Sequence, residues 1–295
     1  MSKFIISILL FISILFIGCS PTSKLTKQTD LAKLAIANGD FETAYNLYTN
    51  YINEQQAKNK EVGGEIYNYA AKAALALKKY TDGEKYFKLA KFKGLADADL
   101  YYSMIKVYKM IDNLSKEMDA TEHFVKNFKQ DARHNELKKR LFNIYVESEN
   151  WEKALAMWPE FTEEEQIDEK LLELYFTVNK KLKNNEEADI IATNLLKKNV
   201  TNKDALEWKA EKHFWIAENK YQAEMEAYEK NKTNKQYNLL VNALDVVTAD
   251  FKKSLVYFEM LYKLYPSKEY AKYMSNIYIR FQDEKKSEYY RKLSL

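Results

Sequence analysis

Apolar residues recur along this chain at helical spacing, in paired stretches separated by short polar breaks. The clearest pair is Leu141, Phe142 and Tyr145, then Trp151, Ala154, Leu155 and Trp158, divided by the polar stretch from Glu147 to Asn150. Residues three, four and seven apart share one helix face, so each stretch predicts an amphipathic helix whose apolar side needs cover. Aligning the chain on the position where two such helices would cross closely gives Ala44, Gly83, Glu117, Ala154, Ala188, Glu224, Ser254 and Ser287. Aromatic residues stand three before that position at Phe41, Tyr80, Trp151, Tyr221 and Phe251, and four after it at Tyr48, Phe87, Trp158, Tyr228 and Phe258. A pair of helices that cannot hide its apolar face alone buries it by stacking on the next pair.

This arrangement resembles the tetratricopeptide repeat. The resemblance implies an all-α fold, an α-solenoid of about eight helix hairpins forming a right-handed superhelix over residues 28–295. Composition agrees, since only 3 prolines and 6 glycines occur in 295 residues, 30% of which are charged and 46% hydrophobic. Gly39, in Asn38-Gly39-Asp40-Phe41, suits the turn inside the first hairpin, and Pro266 suits the end of the seventh. Pro159 falls inside a predicted helix and is expected to stop it near Trp158. The shortest interval, 30 residues before Ser254, predicts a tightened turn that gives Leu240, Leu244 and Val247, and not Asn242 and Asp245, the packing positions. The charged second helix of the last unit suits a solvated cap.

The first residues carry a different pattern. Lys3 precedes an apolar run from Phe4 to Ile17, broken only by Ser7 and Ser13 and followed by Gly18-Cys19. The run is short for a membrane span and has the order of a signal peptide. Phe16-Ile17-Gly18-Cys19 resembles a bacterial lipobox, which implies a lipoprotein signal peptide over 1–18, lipidation at Cys19 and a tether over 19–27. Cleavage without lipidation and an uncleaved anchor are the alternatives. The resemblance, with Ser20 rather than aspartate after the cysteine, implies a lipid anchor in the outer membrane facing the periplasm. Cys19 is the one cysteine in the sequence, so no internal disulfide can form.

Chemistry is sparse. The net charge of +3 gives no drive toward nucleic acid. His123, His134 and His213 lack metal-ligand spacing, no glycine-rich phosphate loop occurs, and the acidic cluster from Glu160 to Glu169 lacks the form of a calcium loop. No catalytic residue, metal or cofactor is expected, and the chain is read as a binding protein and not an enzyme. Trp208 and Trp215, seven apart, share a helix face that serves either packing or sugar stacking. On the inward faces of the first helices of units three to five the repeat register places Lys106, Lys109, Lys139, Arg140, Asn143, Lys180 and Lys181, a lysine-rich face that would suit an acidic or carboxylate-ended peptide. Lys139 and Asn143 match the first pair of the carboxylate clamp of some tetratricopeptide co-chaperones, whereas Leu174 departs from it. The expected function is a membrane-anchored scaffold holding a protein or peptide partner in a concave groove, within an assembly, secretion or similar complex of the bacterial cell envelope. The alternative is a glycan- or nutrient-binding lipoprotein beside an outer-membrane transporter.

Overall fold

The computed structural model describes residues 21–295, with side chains from residue 27. The predicted signal peptide and Cys19 lie outside the described residues. Those described are helical throughout, without a strand, and they divide into two compact units at residues 141 and 142, inside a helix.

In the first unit α1 (Pro21–Ala37) pairs with α2 (Phe41–Ala57), α3 (Gly64–Ala76) with α4 (Tyr80–Phe92), and α5 (Ala98–Met110) with α6 (Leu114–Asn127); α7 (His134–Glu147) then begins. Tyr48, Phe87, Leu100 and Phe124 are fully buried in its core. In the second unit Phe142 of α7 lies 5.8 Å from Trp158 and 5.4 Å from Phe161, ring to ring. The helix after it, α8 (Trp151–Met157), gives way to a 3-10 turn over Trp158–Glu160, as Pro159 requires. A single capped turn, α9 (Glu163–Gln166), takes up part of the acidic stretch. Then α10 (Glu169–Lys181) pairs with α11 (Asn185–Lys198), α12 (Lys203–Lys230) with α13 (Asn234–Leu264), and α14 (Lys268–Arg280) with α15 (Glu284–Leu293).

Six hairpins turn in the same way. A residue with positive φ, namely Gly39, Lys78, Asp112, Glu149, Lys183 or Gln282, stands five positions before the close-packed residue of the second helix. The N–H after it closes back on the first helix, as Asp40 N does on the Ala35 carbonyl at 2.8 Å and Asn113 N on the Tyr108 carbonyl at 2.9 Å. This left-handed closure satisfies carbonyls that the helix end would strand. Asp40, Asn113 and Asp283 then cap the next helix through their side chains.

The α12–α13 hairpin differs. The sequence predicts two hairpins between residues 203 and 264; the structure has one, with helices of 28 and 31 residues. Seven of the eight predicted crossing residues are buried, but Glu224 is only half-buried. Ser254 donates to the Ala210 carbonyl at 2.8 Å across 44 residues, whereas Ser275 and Ser287 make the corresponding contact across 12. The sixth hairpin is therefore an ordinary crossing with 32 extra residues, 218–249, between its two halves. They extend both helices into an arm of about 20 Å. At its base Arg280 of α14 holds Glu218 at 2.7 Å and covers the Tyr221 ring at 4.0 Å, while His213 Nδ1 meets the Asp250 carboxylate at 3.0 Å. Leu240 and Val247 are buried and Asn242 and Asp245 exposed, as predicted, but Ala249, in the slot where the other hairpins turn, continues the helix. Pro266 follows the end of α13, and so closes the sixth observed hairpin rather than the seventh predicted.

Candidate functional site

The first unit contains a groove of about 570 Å³ along its first helices, between the end of α3, the outer half of α5 and α7. Its apolar wall is Leu75, Ile105, Met110 and Leu137 with the rings of Tyr80 and Tyr102, and Lys78, Lys106, Lys109 and Arg140 reach it. The Lys106 ammonium and the Arg133 guanidinium each lie 4.6 Å from the centre of the Tyr102 ring. Arg133 is itself spent on Asp131 at 2.6 Å and Asp99 at 2.9 Å. Hydrogen bonds from Arg133 hold the Asp131 carboxyl down at about 2, and those from Arg133 and Lys72 outweigh burial in lowering Asp99.

Arg140 is present but not at liberty. Its Nε and Nη2 donate to the two oxygens of Glu117 at 2.7 and 2.9 Å, and Glu117 is 2% exposed. A carboxylate at the crossing position is tolerable because a guanidinium from the following helix neutralises it. The groove's positive character rests instead on Lys78, Lys106 and Lys109, which form no ion pair among the described residues, against the single unpaired carboxylate of Glu136. Lys78, Tyr80 and Tyr102 were not among the residues expected from sequence. Lys78 lies in a turn, off the helix faces that the repeat register marks.

The other predicted groove residues are dispersed. Lys139 is half-buried on α7 and does not line the cavity. Asn143 Nδ2 donates to Glu147 on the same helix at 2.9 Å. In the second unit, Lys180 lies 5.1 Å from the Phe176 ring and Lys181 5.8 Å from Trp151. Both are exposed in the last turn of α10, where cations complement the helix dipole.

The second unit has a cavity of its own, about 580 Å³, between α12 and α14, bounded by Phe214, Trp215, Tyr273, Lys268, Lys272 and Asn276. Trp208 and Trp215 part company here. Trp208 packs edge-on to Phe176 at 5.9 Å, while Trp215 is 49% exposed at the cavity. Phe214 and Tyr273 meet edge to face at 4.8 Å beside it.

His123 stacks on Tyr101 at 3.8 Å, and burial, with Lys91 and Lys126, lowers its pKa. Among the described residues no group of histidine, cysteine, aspartate and glutamate could hold a metal ion, and no helix is long and apolar enough to cross a membrane.

At the level of sequence, no protein-family model and no curated protein matches the chain. Solved structures do. A candidate protein-binding protein from Bacteroides ovatus superposes with a TM-score of 0.52 at 16% identity, over 75% of this chain and all of that one. The C-terminal part of a TPR repeat-containing protein from Cytophaga hutchinsonii gives 0.47 at 16%, covering 90% of this chain and 94% of its own. YrrB, a TPR protein with an unusual peptide-binding site, gives 0.48 at 15%, covering 61% and 89%. The repeated left-handed turns, each followed five residues later by a buried crossing residue, together with the likeness to the Bacteroides ovatus protein, show an all-α fold of repeated helix hairpins of the kind the tetratricopeptide resemblance predicts.

Proposed function

We propose that the chain is a lipid-anchored scaffold of the bacterial cell envelope that holds a segment of a partner protein in the groove of its first unit. The carrying observation is that groove itself: an apolar floor with two tyrosine rings, edged by three lysines without carboxylate partners. Such a surface favours an extended segment with an apolar or aromatic anchor and neighbouring acidic residues, because the lysines lose little solvation at the rim and gain a counter-charge. The anchor is Cys19, supported by the order of Lys3, the apolar run and Gly18-Cys19. In this reading the protein sits in the outer membrane, faces the periplasm and serves an assembly or secretion complex.

A photo-crosslinking residue in place of Met110, used in intact cells, should capture one defined partner, and Lys106→Glu with Lys109→Glu should cut its recovery about tenfold. Unchanged recovery rejects the groove. A fatty-acid analogue should label the wild-type chain and not Cys19→Ala; label retained on that variant rejects the anchor.

A second reading rests on Trp215, whose exposed ring beside Tyr273 suits stacking on a sugar face. It predicts quenching of tryptophan fluorescence by oligosaccharide, absent in Trp215→Ala. A flat titration of the wild type removes it.

A further inference from the structure

The arm of α12 and α13 buries one apolar stripe and exposes another. Leu240, Ala243 and Val247 form the buried one. About a third of a turn away, Leu239, Asn242, Val246, Ala249, Lys253 and Val256 follow the alternating three- and four-residue spacing of a coiled-coil seam. All six are exposed, with Leu239 at 46%, Val246 at 47% and Val256 at 55%. No other described element covers this seam. A helix apolar over so wide an arc calls for a second neighbour.

We propose that the neighbour is the arm of a second copy of this chain, packed antiparallel so that two arms form a four-helix bundle about a two-fold axis. Charge selects this occupant. Between residues 234 and 249 the only ionised side chains are Lys235 and Asp245, one towards each end, and neither forms an ion pair among the described residues. An antiparallel copy sets each Lys235 near the other's Asp245, whereas a parallel one would oppose like charges. The stripe is thus complementary to itself, as an isologous contact requires. Asn242 supplies the single polar position within the apolar part of the seam, a device that fixes register. The crossing at Ser254 and Ala210 supports the arm from below without using the seam.

The test uses the full chain in cells. A photo-crosslinking residue at Asn242 should give a product of twice the chain's mass containing two differently tagged copies. Asp245→Lys should lower its yield about threefold, and Lys235→Asp combined with Asp245→Lys should restore it. Helicity measured on each variant separates lost pairing from lost folding. If a reversal unfolds the arm, a second variant decides. Excising residues 218–249 and changing Ala217→Gly creates Gly-Asp-Phe at the junction, the turn used at Gly39-Asp40-Phe41, and this chain should fold and stay monomeric under conditions where the wild type dimerises. A crosslink to a different protein, no crosslink, or a yield indifferent to the charge reversals overturns the proposal.

Discussion

The third and sixth hairpins depart from the repeat in opposite ways. In the third the crossing residue is the wrong kind, Glu117 in place of a small side chain, yet α5, the turn at Asp112 and α6 keep the regular geometry. In the sixth the crossing residue is the expected kind, Ser254, yet 32 residues have entered between the halves. What the crossing demands is therefore a satisfied side chain rather than a small one. Register is set by the crossing and not by the length of chain between the helices.

The comparison breaks most sharply at Arg140. Arg140→Met leaves Glu117 charged and buried without its partner and should cost about 3–5 kcal/mol in urea unfolding. Glu117→Ala on top of it should recover most of that loss, since it restores the small residue used elsewhere. If the double variant is no more stable than the single, the pair is not what makes a carboxylate tolerable there. At the sixth crossing, Ser254→Val removes the hydrogen bond to the Ala210 carbonyl and adds bulk at a fully buried contact, for an expected loss of about 1–3 kcal/mol. An equal effect at Glu224, half-buried within the arm, would show that the arm and not Ser254 carries the repeat.

Smaller effects sharpen the turn side of the comparison. Lys78→Gly relieves a left-handed residue with φ of 59° and should raise stability by about 0.5–1 kcal/mol, while Ala249→Gly, inside a helix, should lower it by about as much. Thermal unfolding of the two variants tests this sign reversal. The smallest effect is at His123. Its folded-state pKa is lowered, so the unfolded chain binds more protons as pH falls through the ordinary histidine value, and stability should rise from pH 5 to 7.5 relative to His123→Phe. The gap between the two melting temperatures, followed against pH, measures it.

Most of the fold was legible because each hairpin repeats the same chemical demand. Six small crossing residues and the stop at Pro159 followed from spacing and side-chain size, and Glu117 from spacing alone. The arm was hidden because its helices are amphipathic too, and Tyr221 and Tyr228 fall at the spacing of a true repeat. The available signal was Ala249, an apolar residue in a slot that elsewhere holds glycine or a polar residue. At the groove, helix-face register found Lys106 and Lys109 but also selected Arg140. Its neutralisation depends on Glu117, 23 residues away, and a carboxylate at a crossing position was the only local hint that a cation must be spent there.

Glu117 belongs to the third hairpin and Arg140 to the helix that opens the next. A linear array of repeats normally frays from its ends one module at a time, each interface adding its own small increment. This shared charge ties two modules to a common melting event, because peeling either away strands an ion in the other, and the first unit acquires an internal latch where a uniform array would unzip.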